Sequence, residues 1–288
     1  MQKAISYWAM PGGLEGTCPL EEALSRGKNA GFPTLELCIG LTGILTPESS
    51  AGDCRKYRAQ ISASKMQVET LASGMSWAFC PTDNDAGIRR KAIELHKQAL
   101  QRAAWLGCQA MLFVPGAVII PWEKSFQPVR YDRAVDWARA AVQELGQTAT
   151  DLGVTLAVEN VWNGLFYSPL EFQAFIDEIN NPSVGVYFDV GNVLNHQQWP
   201  PHWIELLGKR IKRVHCKEFK LSVGTLEGFC DLLAGDMPWP EIMTALRKIG
   251  YNSTLTAEMM PYSDGLLERT SQALDKIVKM QGKNDDSN

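Results

Sequence analysis

The sequence has no Cys-x-x-Cys pair: its seven cysteines (Cys18, Cys38, Cys54, Cys80, Cys108, Cys216 and Cys230) are scattered and odd in number. That argues against a thiolate zinc site and a disulfide framework, and predicts a reducing, cytoplasmic setting. There is no basic surplus, since the net charge is −4 without long charged runs; a nucleic-acid groove is therefore not expected. No apolar stretch approaches the roughly 18 residues of a membrane span, and Met1-Gln2-Lys3-Ala4 does not start an apolar secretory core. No membrane partner is expected. Low-complexity segments, interdomain linkers and a glycine-rich phosphate loop are missing as well.

What is present is an ordinary globular composition, 45% hydrophobic and 21% charged over 288 residues. One α/β barrel of about 250 residues with a few long loops fits that length better than two domains. Strand-like runs at 4–8, 34–39, 67–72, 110–114, 155–161, 184–189, 211–215 and 254–258 alternate with helical stretches at 19–30, 53–64, 85–106, 131–152, 169–179, 202–207, 240–249 and 265–280. Asp53 is placed as a helix cap, Gly107 and Gly153 close the two long helices, and Pro169 opens another. Eight strand–helix pairs predict a single-domain (β/α)8 TIM barrel over 1–281, with a polar tail at 282–288.

Four of the runs end alike. The fifth reaches Glu159, the sixth ends on Asp189, the seventh on His215 and the eighth on Glu258. Side chains alternate faces along a strand, so Thr155, Ala157 and Glu159 share a face, as do Gly185, Tyr187 and Asp189, and Thr254, Thr256 and Glu258. The acidic residue always falls on the less aliphatic side. In a parallel barrel that side points inward, and its C-terminal rim carries function. Singly, each of these residues reads as well as a helix cap or a solvated loop residue, and His215 as a hydrogen-bonded core histidine. As an ordered set on consecutive strands they are four candidate metal ligands.

The segments Val158-Glu159-Asn160, Phe188-Asp189-Val190-Gly191-Asn192, Val214-His215-Cys216-Lys217-Glu218, Gly235-Asp236-Met237-Pro238-Trp239 and Ala257-Glu258-Met259 resemble the sugar isomerase/epimerase branch of the xylose-isomerase-like TIM barrels. The resemblance runs along nearly the whole chain, with its specific motifs in the C-terminal half. It implies that Glu159, Asp189, His215 and Glu258 bind one divalent metal and that Glu159 and Glu258 double as the acid/base pair. It further implies a ketose 3-epimerase or aldose–ketose isomerase acting on a small sugar or sugar phosphate. Inosose dehydratases and hydroxypyruvate isomerases share the scaffold, and a non-catalytic sugar-binding barrel remains an alternative.

The chemistry agrees with that implication. Three carboxylates in one barrel mouth repel by about 4 kcal/mol per pair at 4 Å and an effective dielectric of about 20, a sign that a divalent cation reverses. Mixed oxygen and imidazole donors favour Mn2+, with Co2+, Mg2+ and Zn2+ as alternatives. Such an ion polarises a carbonyl, and two carboxylates on opposite faces of an enediolate supply the base and the acid.

Trp8, Glu36 and Trp122 fall at or just after strands one, two and four, and Asn192 and Lys217 follow two of the candidate ligands. These five are the candidate substrate contacts. Glu36, between Leu35 and Leu37, is expected to face the mouth. Lys217 shares the inward parity of His215, with a rim ion pair to Glu218 as the competing reading. His96 and His202 lie on helices and are expected at the surface or between helices; His196 follows strand six in a loop able to overhang the mouth.

Free-ketose 3-epimerases of the tagatose or psicose type carry a His, a second Glu and an Arg where this chain has Asn192, Leu165 and Leu221. Their grip on a free ketohexose is thus not expected here, and the motifs look closer to the ketose-phosphate epimerases. The abasic-site endonuclease of the same fold would need a His at 192 and a further ligand pair after strand seven. With four histidines in all, the chain lacks them. A homo-oligomer is compatible with all of this.

Overall fold

Alternation gives each apolar run two unlike faces, and in the computed structural model, which describes residues 1–282, both faces are covered. The strands are β1 (Gln2–Ser6), β2 (Thr34–Ile39), β3 (Thr70–Ser73), β4 (Ala110–Phe113), β5 (Thr155–Glu159), β6 (Val184–Asp189), β7 (Ile211–Cys216), β8 (Glu218–Phe219), β9 (Phe229–Cys230) and β10 (Thr254–Ala257). All but β8 and β9 close into a barrel in the order β1-β10-β7-β6-β5-β4-β3-β2. Every pairing in it is parallel. The helices are α1 (Leu20–Asn29), α2 (Ala51–Ser64), α3 (Ala86–Leu106), α4 (Tyr131–Leu152), α5 (Pro169–Ile179), α6 (Val190–Asn195), α7 (Pro200–Leu207), α8 (Trp239–Lys248) and α9 (Leu266–Ile277). This is the expected single-domain (β/α)8 barrel. Among the described residues, no helix is long and apolar enough to cross a membrane.

Several boundaries differ from the expectation for local reasons. Helix α2 starts earlier, because Ser50 rather than Asp53 is its cap: Ser50 Oγ accepts from Asp53 N at 3.1 Å, and Asp53 Oδ2 accepts from Ser50 N at 3.0 Å. Asp53 instead completes a capping box. Strand β3 starts three residues late, since Gln67 forms only an isolated bridge with Thr34. Strand β5 stops at Glu159 rather than at 161. Helix α6 and the antiparallel pair β8–β9 had no counterpart in the sequence reading. Of the tail expected at 282–288, only Gly282 is described, with its N–H donating to Thr244 Oγ1 at 2.8 Å; the remainder lies outside the described residues.

The barrel interior is polar along its axis. Low in it, Arg213 donates to Gln109 Oε1 at 2.7 Å and to Ser253 Oγ at 2.6 Å. Higher up, Glu36 accepts hydrogen bonds from Thr70 Oγ1 at 2.8 Å and from the Tyr187 hydroxyl. Burial demands such partners, and of the Arg213 guanidinium only Nε lacks one.

His96 is neither at the surface nor between helices. It is fully buried under α3 with its ring edge-on to Phe113, centroids 4.7 Å apart. Its Nδ1–H donates to Ala92 O at 2.8 Å, and Nε2 accepts from Ser73 Oγ at 3.0 Å. Burial pushes its pKa down to about 4, outweighing the hydrogen bond to Ala92. The unfolded chain therefore takes up a proton near pH 6.5 that the native state refuses until about pH 4. Stability from this group is present above pH 6.5 and is lost as pH falls through that window, by about 3 kcal/mol in all. Urea titrations at pH 7 and pH 5 should show a smaller loss for His96→Gln than for the wild-type chain; equal losses would mean His96 protonates as readily folded as unfolded.

Candidate metal centre

The four candidate ligands meet. Glu159 ends β5, Asp189 ends β6, His215 lies one residue from the end of β7, and Glu258 follows β10. Register aligns Asp189 with His215, while Glu159 pairs with Tyr187 and His215 with Thr256, each partner two residues short of the next candidate ligand. One atom from each of the four residues lies within 4.8 Å of the others, and all four side chains are buried.

Neighbouring backbone fixes this convergence. Asn160 spans the β5–β6 gap, its Oδ1 accepting from Asp189 N and its Nδ2 donating to Asp189 O, both at 2.9 Å. Asn192 Nδ2 donates in turn to Asn160 O at 3.0 Å. Asp189 is a helix cap as well as a candidate ligand: Oδ1 accepts from Gly191 N at 2.9 Å and Asn192 N at 3.0 Å, opening α6. Each oxygen fulfils one of the two readings. Gly191 lets α6 lie against β7, because a Cβ there would sit 2.6 Å from Lys217 Cβ.

Glu159 Oε1, Asp189 Oδ2, His215 Nδ1 and Glu258 Oε2 are all buried without a hydrogen bond. They are not isolated from charge: His215 Nδ1 is 2.6 Å from Glu258 Oε2 and 3.5 Å from Glu159 Oε1, and Lys217 Nζ is 2.8 Å from Asp189 Oδ2 and 3.1 Å from Glu258 Oε2. These contacts have the distance of ion pairs but not the directionality of hydrogen bonds. Without a cation His215 is protonated and turns Nδ1–H toward these carboxylates; a divalent cation that replaces this proton meets four converging donor atoms. The charges suit it too: with His215 neutral, as a ligand must be, three carboxylates and Lys217 leave a net −2 for a dication to cancel. Behind the cluster, His215 Nε2–H donates to Glu36 Oε1 at 2.8 Å, the carboxylate–histidine arrangement that aims the other ring nitrogen at a metal.

The two glutamates are electrostatically unlike. Burial, reinforced by Glu258, pushes Glu159 up to about 7 against the pull of His215 and Lys217. Burial acts on Glu258 too, but Lys217 and His215 outweigh it and hold that carboxyl at about 2. Burial also raises Asp189. For His215, burial is overcome by Tyr187, Glu36 and Glu258, which hold its pKa well above the usual histidine value.

Above the cluster opens a cavity of about 770 Å3. Trp8, Trp122, Asn192 and Lys217 line it, as do Glu159 and Glu258. Glu36 does not, and that expectation is corrected. It is fully buried beneath the cluster, held by Thr70, Tyr187 and His215, and so touches a ligand rather than the cavity. The Lys217–Glu218 rim pair is corrected as well. Glu218 turns away to accept from Leu233 N, Met237 N and Trp239 Nε1 at 2.8–2.9 Å. His202 is exposed, and His196 packs edge-on against Tyr167, centroids 4.6 Å apart, outside the cavity lining. Trp77, Trp162, Phe229 and Tyr262 line the cavity without having been singled out. Trp162, just past the fifth strand, was open to the rim argument applied to Trp8 and Trp122.

A family model described as the xylose isomerase-like TIM barrel matches residues 24–279. The chain is similar to a D-psicose 3-epimerase of Enterocloster bolteae, 25% identical over 293 positions that cover 96% of this chain and 91% of that protein. It is similar also to a D-psicose 3-epimerase of Agrobacterium fabrum, 25% identical over 206 positions covering 69% and 67%. The crystal structure of the D-psicose 3-epimerase of Clostridium cellulolyticum H10 with D-tagatose shares the fold, with a TM-score of 0.78 at 19% identity over 96% of this chain and 98% of that one.

The bond from His215 to Glu36 gives a direct expectation. Glu36→Gln should weaken Mn2+ binding, measured by calorimetry, by about 10- to 100-fold. Unchanged affinity would mean that Glu36 is only a structural filler of the barrel.

Proposed function

Because the chain belongs to the xylose isomerase-like TIM barrel family, we propose that it is a divalent-metal-dependent sugar epimerase or aldose–ketose isomerase. The observation that carries the reading is the convergence of four buried, unbonded donor atoms on the floor of an aromatic-lined cavity. The two D-psicose 3-epimerase relatives support a ketose as substrate.

Glu159, Asp189, His215 and Glu258 would hold the metal, with Mn2+ favoured by their oxygen and imidazole donors. When bound, it supplies Lewis-acid polarisation of a carbonyl and so acidifies the neighbouring C–H. Glu159 would take that proton, and Glu258, ionised at rest and first protonated from solvent, would return one on the opposite face of the enediolate. For the reverse reaction the two exchange roles. Without a cation, burial and Glu258 push Glu159 up; a dication beside it favours the ionised carboxylate, the form that accepts a proton. Lys217 and Asn192 contribute polar groups to the sugar end of the cavity, Trp8 and Trp122 its ring faces. Asn192, Leu165 and Leu221 still depart from the free-ketose pattern, so the sugar hydroxyls are held by other groups. The seven cysteines, none of them in a disulfide, fit a reducing, cytoplasmic setting.

Incubated with a ketose and Mn2+ in D2O, the chain should place deuterium beside the carbonyl: at C3 for epimerisation, at C1 or C2 for aldose–ketose exchange. Chelation should stop exchange and Mn2+ restore it. Glu258→Gln should lower turnover by about a hundred- to ten-thousand-fold while circular dichroism shows a folded barrel; full activity in that variant would remove its acid/base role.

A further inference from the structure

We infer that the cavity takes a two-ring substrate: a neutral keto-sugar carrying a second ring in glycosidic linkage, the keto-sugar over the metal centre and the second ring against Trp122. This rests on the sugar reading above and adds to it the size and charge of the ligand.

Size is the first argument. Allowing each of its twelve non-hydrogen atoms the roughly 30 Å3 that a water molecule occupies in the liquid, a ketohexose fills about half of such a space. The cavity measures about 770 Å3, well beyond one ring.

The second argument is the change of chemistry with depth. Glu159 and Glu258 are 5% and 6% exposed, whereas Trp122 is 49% exposed. The polar groups that act on a carbonyl therefore sit deep, and an indole face stands at the opening. Trp77 packs against that indole, their rings edge-to-face with centroids 4.8 Å apart. A fixed aromatic face at the mouth of a sugar site suits the C–H face of a second sugar or an aryl ring.

Charge supplies the third. Lys217 is the sole Lys or Arg among the described residues lining the cavity, and Asp189 and Glu258 already engage its ammonium. Of the other charged lining residues, Glu218 is held by Leu233, Met237 and Trp239, and Asp231 is paired with Arg269 at 2.9 Å. Lys217 and Arg269 are thus both engaged by carboxylates, a phosphate would find no free cationic side chain in this lining, and the substrate is neutral. The second ring is not attached at the reacting carbonyl carbon, because proton transfer needs that carbonyl intact. It hangs either from another hydroxyl of a ketose or from the anomeric carbon of a ring whose ketone lies elsewhere.

Calorimetry on the Mn2+-loaded chain separates these. The probes are fructose, fructose 6-phosphate, fructose bearing a glucosyl group on O4, and a phenyl glucoside oxidised to a ketone at C3. At least one two-ring probe should bind about tenfold more tightly than fructose, and which one does so identifies the linkage; the phosphate should bind no more tightly than fructose. Trp122→Ala should weaken the two-ring probe by about three- to tenfold more than it weakens fructose, with Trp122→Phe restoring much of the difference. Equal affinities for one and two rings, tighter binding of the phosphate, or an equal effect of Trp122→Ala on all probes would overturn the inference. Binding is read apart from turnover: a probe that binds in this pattern without exchanging deuterium contradicts the epimerase reading and supports the two-ring site.

Discussion

Three carboxylates brought within 4.8 Å of one another and buried are the constraint on which the structure turns. Repulsion of about 4 kcal/mol per pair, at 4 Å and an effective dielectric of about 20, would drive the strand ends apart if nothing opposed it. The chain opposes it twice over, with Lys217 Nζ between Asp189 and Glu258 and, in the absence of a cation, with the protonated His215 ring between Glu159 and Glu258. It also holds the backbone in place: Asn160 clamps the end of β5 to the end of β6, and Asp189 is tied through its second oxygen to the first turn of α6.

The polar barrel interior follows from the same constraint. His215 can turn Nδ1 toward the carboxylates because Nε2 is held by Glu36, and Glu36 is held by Thr70 and Tyr187. A column of hydrogen bonds thus replaces part of the aliphatic layering usual in such barrels. Above the column, tryptophan and phenylalanine side chains shape the cavity. An apolar wall keeps the local dielectric low, which strengthens the electrostatic contacts at its floor.

Much of this was legible in the sequence, because strand parity and barrel topology are local rules. Glu159, Asp189, His215 and Glu258 could be placed on one face by counting in twos, and the barrel closes them into one site. Depth along the barrel axis was not legible. Leu35 and Leu37 put Glu36 on the inner face, but its height depends on the register of β1 with β2 and on a partner 179 residues away. Helix α6 was missed because a six-residue helix opening directly from a strand offers no hydrophobic period to read. His96 was misplaced because one face of its long helix meets the barrel, and which face depends on tertiary contact. The competing reading of Lys217, a candidate substrate contact, took the nearest carboxylate in sequence, Glu218, when the fold offers it two others.

The account stands or falls on where a cation binds. An anomalous-difference map from crystals grown with Mn2+ is the most direct measurement. It should show one peak per chain, touching Glu159, Asp189, His215 and Glu258, with the Glu36 carboxylate on the far side of the imidazole. A peak elsewhere, or none at a saturating concentration, would contradict it.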